Sequence, residues 1–114
     1  MLTVDALREF GANTAEGLGR CLNNEAFYLR LVNMALDAPE FEKLAKAIQD
    51  DDRKAAFEAA HALKGSLSNL ALTPIANPVA ELTEMLRGGQ DADYTVLLER
   101  VLRQREVLIT LRDN

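Results

Sequence analysis

Apolar and polar positions repeat with a helical period along almost the whole chain. Over residues 24–38, Phe27, Leu31, Met34 and Ala35 recur three and four apart, the spacing of one helix face, with Asn24 as the cap. Residues 40–49 repeat the pattern with Phe41, Leu44, Ala45 and Ile48, capped by Asp37 or Ala38. The longest uninterrupted helical signal covers 52–71, and the acidic run Asp50-Asp51-Asp52 before it is a turn that favours a helix start. A further helix reaches Arg87 and stops at Gly88-Gly89. Its start is open. Either Thr73-Pro74 begins a helix that bends at Pro78, or Asn77-Pro78 is the true cap and first residue. The last helix covers 92–111, with Val101, Leu102, Leu108 and Leu111 among its apolar residues. Two short pieces precede these, 3–10 with Thr3 as cap and Gly11 as stop, and 14–22 with a similar cap and two internal glycines, Gly17 and Gly19.

Connections of a few residues between helices of this length make neighbours antiparallel. The expected fold is all-α, an antiparallel four-helix bundle with the short N-terminal helices covering one end. Nothing in the sequence marks a linker or repeat, so residues 1–114 are expected to form a single domain. Leu7, Phe10, Leu18 and Leu22 are expected in the core, with Met34 and Met85 as core filler. Arg100, Arg103, Arg105 and Arg112 are expected on the wet face of the last helix.

Composition removes several functions. Thirteen Lys and Arg against 18 Asp and Glu leave a net charge of −5, the wrong sign for a nucleic-acid face. Four Phe, two Tyr and no Trp make a poor stacking platform. The apolar runs are far shorter than the roughly 20 residues that cross a bilayer. The opening MLTVDALREF has no secretory pattern, so a cytoplasmic location is expected. Cys21, the single cysteine, cannot form an internal disulfide and reads as a small apolar side chain near a helix end. A monomer is the default.

The one histidine, His61, changes the picture. At about 100° per residue, Ala56, Ala60, Leu63, Leu67 and Leu70 share one arc of the 52–71 helix, and His61 lies roughly 140° from its centre. Lys64, Gly65 and Ser68 share the side of His61, with Phe57 at the near edge. A lone helical histidine is ordinarily surface decoration, but its neighbours argue further. Gly65 costs about 1 kcal/mol relative to Ala inside a helix and clears space for another surface. Lys64, three residues on, can swing its ammonium toward anything negative on the ring. Ala60 and Ala62 flank the ring with small groups. An exposed nucleophile, a cation and a steric gap are the parts that phosphoryl transfer to imidazole needs.

The segment Ala60-His61-Ala62-Leu63-Lys64-Gly65-Ser66, followed by Asn69-Leu70, resembles the signature of histidine-containing phosphotransfer (HPt) domains. The likeness extends over about 14–111 through the order and length of the helices. It implies a phosphoryl carrier without kinase activity of its own and without a cofactor. Its partners would be a response-regulator receiver domain, a hybrid sensor histidine kinase, or both. It further implies that His61 is the phospho-acceptor, that Lys64 steadies the phosphate and that Gly65 leaves room for the receiver. Phe57, Ser68 and Thr83 are the expected surrounding binding residues. Thr83 comes from counting outward from a turn centred near Leu72, which sets it opposite His61 on the following helix. Docking is expected on the His61 face together with exposed apolar residues of the N-terminal pieces.

Two features depart from the family pattern. Ala71 stands where relatives commonly have Gly, and Pro78 interrupts a helix that is normally continuous. They leave room for an alternative, an interaction module that keeps the bundle without the relay. A second alternative, a di-iron enzyme, rests on Glu58-Ala-Ala-His61 and would need a second such element, which one histidine cannot supply. No metal site is expected.

Overall fold

A computed structural model describes residues 1–89 and 91–114. The described chain is all-helical, in the order α1 (Val4–Phe10), α2 (Thr14–Arg20), α3 (Glu25–Leu36), α4 (Glu40–Gln49), α5 (Arg53–Asn69), α6 (Thr73–Arg87) and α7 (Thr95–Asp113).

Local hydrogen bonding explains most of the boundaries. Thr3, Asn24 and Asp52 each accept a bond from the backbone N–H three residues on, capping α1, α3 and α5. The cap of α2 is Asn13, one residue earlier than Thr14, which is the first helical residue and buried. Neither Asp37 nor Ala38 caps α4; Pro39 holds that position without a side-chain bond. The α6 start resolves in favour of one helix from Thr73, with Leu72 at the cap position and Pro78 buried inside. Pro78 has no N–H for the carbonyl of Pro74, so α6 lacks one ladder bond there. Helix α7 begins at Thr95, later than residue 92, because the Asp93 carboxylate takes the Thr95 N–H at 2.9 Å. That bond holds the Asp93 carboxyl below the usual range.

Helices α4, α5, α6 and α7 pack successively, and α4 also meets α7. Helices α5 and α6 run antiparallel: Arg53 at the start of α5 reaches Asp91 beyond the end of α6, and Lys64 pairs with Glu84. The core between them holds Leu63, Leu67, Ile75, Val79 and Leu82 from these two helices, with Phe41 and Leu44 from α4 and Val101 and Leu108 from α7. Each such aliphatic side chain contributes about 1.5–3 kcal/mol on full burial.

The N-terminal helices clamp the α5–α6 turn. The Asn13 N–H donates to Ala71 O at 3.0 Å, and the Tyr28 hydroxyl donates to Leu70 O at 2.9 Å. Burial, reinforced by Cys21 nearby, pushes the Tyr28 phenol above its ordinary pKa and keeps it a donor. Arg20 donates to the carbonyls of Ser68 and Asn69, where the C-terminal dipole of α5 favours a cation. The turn ends α5 with Ala71 in the left-handed region (φ 56°), its N–H bonded to Ser68 O and the next N–H, of Leu72, bonded back to Leu67 O.

Several surface expectations are corrected. Met34 is 60% exposed and Leu22 87% exposed, whereas Leu7 is fully buried and Phe10, Leu18 and Met85 are half-buried and pack against the core as expected. Met34 points outward because Val32, Ala35 and Leu36 take the inner side of α3. Leu22 follows the end of α2 with φ 58°, in a left-handed turn that directs it to solvent. Arg100 and Arg103 are exposed, but Arg105 and Arg112 are not merely wetted. Arg105 donates to Leu36 O at 2.8 Å and lies 4.5 Å over the Phe41 ring, and Arg112 bonds Asp37 at 2.8 Å. These two arginines tie α7 to the end of α3. Among the described residues, no helix is long and apolar enough to cross a membrane.

Candidate functional site

Helix α5 is held at both ends, by Asp52 at its start and the left-handed turn at its close. Its inner side is filled by Ala56, Ala59, Ala60, Leu63 and Leu67. Burying that side fixes the rotation of the helix, so His61, Gly65 and Ser68 are exposed and Phe57 and Lys64 are half-buried. Ala60 is buried in the core, leaving Ala62 as the small exposed neighbour of the ring.

The imidazole of His61 stacks on Phe57, with centroids 5.7 Å apart and planes at 16°. This contact, one turn back along the helix, restrains the ring without engaging a nitrogen. Neither nitrogen has a hydrogen-bond partner among the described residues. The ring therefore offers its lone pair to solvent, or to whatever docks there. Gly65, one turn on, opens the approach: a Cβ built on it would meet nothing within 4 Å.

Two residues of α6 complete the surroundings. Glu84 places one carboxylate oxygen 3.6 Å from Lys64 Nζ and the other 3.2 Å from Arg87 Nε. The Arg87 guanidinium also lies 5.1 Å over the Phe57 ring. All three charged side chains are 37–57% exposed, so each pair adds at most about 1 kcal/mol to stability. Arg87 lies over the ring on which His61 stacks, and Lys64 sits one turn after His61, as Glu58 sits one turn before it.

Thr83 does not join this group. It is fully buried, and its hydroxyl donates to Val79 O at 2.7 Å, back along its own helix. Counting from the turn reaches the correct stretch of α6, but the exposed side there is formed by Glu84 and Arg87. Sequence reasoning missed both. Their three-residue spacing with opposite charge was the available signal, since such pairs mark a solvent-facing stripe.

The site is an open surface. His61 lines neither the groove between α4 and α5 nor the groove of about 360 Å³ between α3 and α5, which Leu31, Met34, Ala62, Ser66 and Asn69 help to form. An exposed nucleophile outside these two grooves is open to approach by another surface. Glu58 is exposed too, and no group of three or more His, Cys, Asp or Glu among the described residues is placed to hold a metal ion.

The family model for the Hpt domain matches residues 35–113, more than half of the chain. The chain belongs to the Hpt domain family. Hpt domains carry phosphoryl groups on histidine within phosphorelays, as carriers and not kinases, and they interact with receiver domains and kinases. The Hpt match starts at Ala35, near the end of α3, and not near residue 14. It therefore takes in α4 to α7 and leaves the clamp formed by α1, α2 and most of α3 outside. No curated protein and no solved structure matches the chain significantly.

Proposed function

We propose that His61 is the phospho-acceptor of this Hpt domain and exchanges a phosphoryl group with the aspartate of a response-regulator receiver domain. The observation that carries the reading is an exposed imidazole, stacked on Phe57 and without a hydrogen-bond partner among the described residues, with Lys64 and Arg87 nearby and an open gap at Gly65. The whole chain, 1–114, acts as one unit, in the cytoplasm and as a monomer.

In the forward step a lone pair of neutral His61 attacks the phosphorus of the receiver's acyl phosphate in line. The N–P bond forms as the P–O bond breaks, and the electron pair returns to the aspartate carboxylate. The proton on the other ring nitrogen then passes to water. Through the loose transition state, charge sits on the three phosphoryl oxygens. Lys64 is positioned to steady the phosphoryl oxygens once the group is on the ring, Phe57 holds the plane of the ring, and Gly65 admits the receiver. The receiver supplies the remaining catalytic groups. Ser68 lies on the same exposed side, within the docking area. The groove between α3 and α5, lined in part by the exposed Met34 and by Ala62, adjoins that area and supplies apolar contact. Thr83 has no part in it.

The test is phosphoryl transfer from candidate receivers phosphorylated with radiolabel. Wild-type protein gains acid-labile label, as a phosphoramidate should be, and His61→Ala gains none. Label on the His61→Ala protein would overturn the assignment. Failure of every receiver to label the wild type, despite measurable binding, would leave the interaction-module reading in its place.

A further inference from the structure

Two acids near His61 have the wrong sign for a site that receives a phosphoryl group, Glu58 one turn before it and Glu84 on α6, and of these Glu84 is the one paired with the cations. Each of its carboxylate oxygens faces one of the two cations available there, Lys64 at 3.6 Å and Arg87 at 3.2 Å. The carboxylate thus occupies, from the same chain, the cations that an anionic group on His61 would draw on. None of the three is locked by burial, and all belong to side chains long enough to re-pair. Lys64 has no other ion-pair partner among the described residues. Arg87 is anchored differently. Its guanidinium rests over Phe57, the ring on which His61 stacks, so it stays near the imidazole when Glu84 lets go.

We propose that Glu84 is an internal competitor for the phosphoryl group, a positioning residue that keeps Lys64 and Arg87 engaged in the unphosphorylated protein and thereby limits how firmly His61 holds its phosphate. The inference rests on His61 being the phospho-acceptor. On phosphorylation the imidazole acquires a group carrying up to two negative charges, and Lys64 must leave or share Glu84 to reach it. The carboxylate also repels the phosphoryl oxygens directly. Both effects make the phosphorylated form less favourable than it would be with a neutral side chain at this position, which suits a carrier that must give its group away. Cations resting on the phosphoryl oxygens steady the phosphorylated form by charge pairing and so slow its loss. A competitor for the cations speeds it.

The test uses the full chain, labelled at His61 with phosphoramidate, a small phosphoryl donor that requires no docking surface. After removal of the donor, loss of acid-labile label is followed at neutral pH. Glu84→Gln keeps the shape and removes the charge, and it is expected to slow the loss about two- to fivefold, the range that exposed charge pairs support. The difference should shrink as salt is raised. Glu84→Asp, which keeps the charge, should stay closer to the wild type than Glu84→Gln does. In a Lys64→Ala background the effect of Glu84→Gln should fall, because the cation under competition is gone. Equal or faster loss of label from Glu84→Gln than from the wild type overturns the role of Glu84 and leaves the phospho-acceptor assignment standing. Wild-type protein that takes label from neither phosphoramidate nor any receiver overturns that assignment itself.

Discussion

Two helical glycines, Gly17 and Gly65, have opposite surroundings. A Cβ on Gly17 would stand 2.6 Å from the Tyr28 ring and 2.7 Å from Leu70 O, whereas a Cβ on Gly65 would meet nothing within 4 Å. Both residues lower intrinsic helix stability by about 1 kcal/mol relative to Ala. At Gly17 the protein itself uses the missing side chain: α2 closes onto Tyr28 and onto the turn that ends α5. At Gly65 the chain leaves the space unused, one turn from an unpaired imidazole. Gly19 in α2 has the same open surroundings, so what sets Gly65 apart is its place one turn from His61.

Substitutions can break or sharpen that contrast. The largest effect is expected from Gly17→Ala. The added carbon overlaps a ring and a backbone carbonyl and disturbs the bond between Tyr28 and Leu70, so a net loss of about 2 kcal/mol follows even after the gain in helix propensity. For a chain of this size that lowers Tm by roughly 10 °C in a thermal melt. An unchanged Tm would show that the clamp at the α5–α6 turn is loose.

Gly65→Leu should do the reverse. Its melting temperature should equal or exceed that of the wild type, while the rate of phosphoryl transfer from a receiver falls about tenfold or more, since 1.4 kcal/mol of interfacial clash already gives that factor. Direct labelling by phosphoramidate should persist, because the small donor needs no gap. Normal transfer from the receiver would remove the steric role of the glycine.

The smallest effect belongs to Ala71→Gly. Ala71 holds φ at 56°, where an L-residue is strained, yet its methyl is also buried. Relief of strain and lost burial nearly cancel, leaving an expected gain of about 0.5 kcal/mol, visible as a Tm rise of a few degrees. A fall in Tm would mean that the methyl contributes more to packing than the backbone strain costs.

The departures from the family pattern prove local. Ala71 adopts the conformation that a glycine would favour, and Pro78 leaves α6 as a single helix at the cost of one backbone bond. Neither changes the exposed side of α5. That side was legible in advance because it follows from the spacing of Ala56, Ala60, Leu63 and Leu67, which need only a core to pack against. What faces His61 across the helix pair was not legible. Turn counting indicates Thr83, but the rotation of α6 is set by burial of Ile75, Val79, Leu82 and Leu86, which also takes Thr83 inward and brings Glu84 and Arg87 out.

Short-range chemistry in the chain determined the caps at Thr3, Asn24 and Asp52, the stop at Gly11, the helical identity of the major segments and the exposure of His61. Each depends on residues within a turn or two of one another, where geometry is dictated by backbone hydrogen bonds and the 3.6-residue period. Packing between distant segments decided the rest: Glu84 bridging two cations, Arg105 and Arg112 tying α7 to α3, Met34 left in solvent, and Tyr28 filling the place that Gly17 vacates. Those depend on how helices rotate and slide against each other, which is settled only when all their apolar faces are buried together.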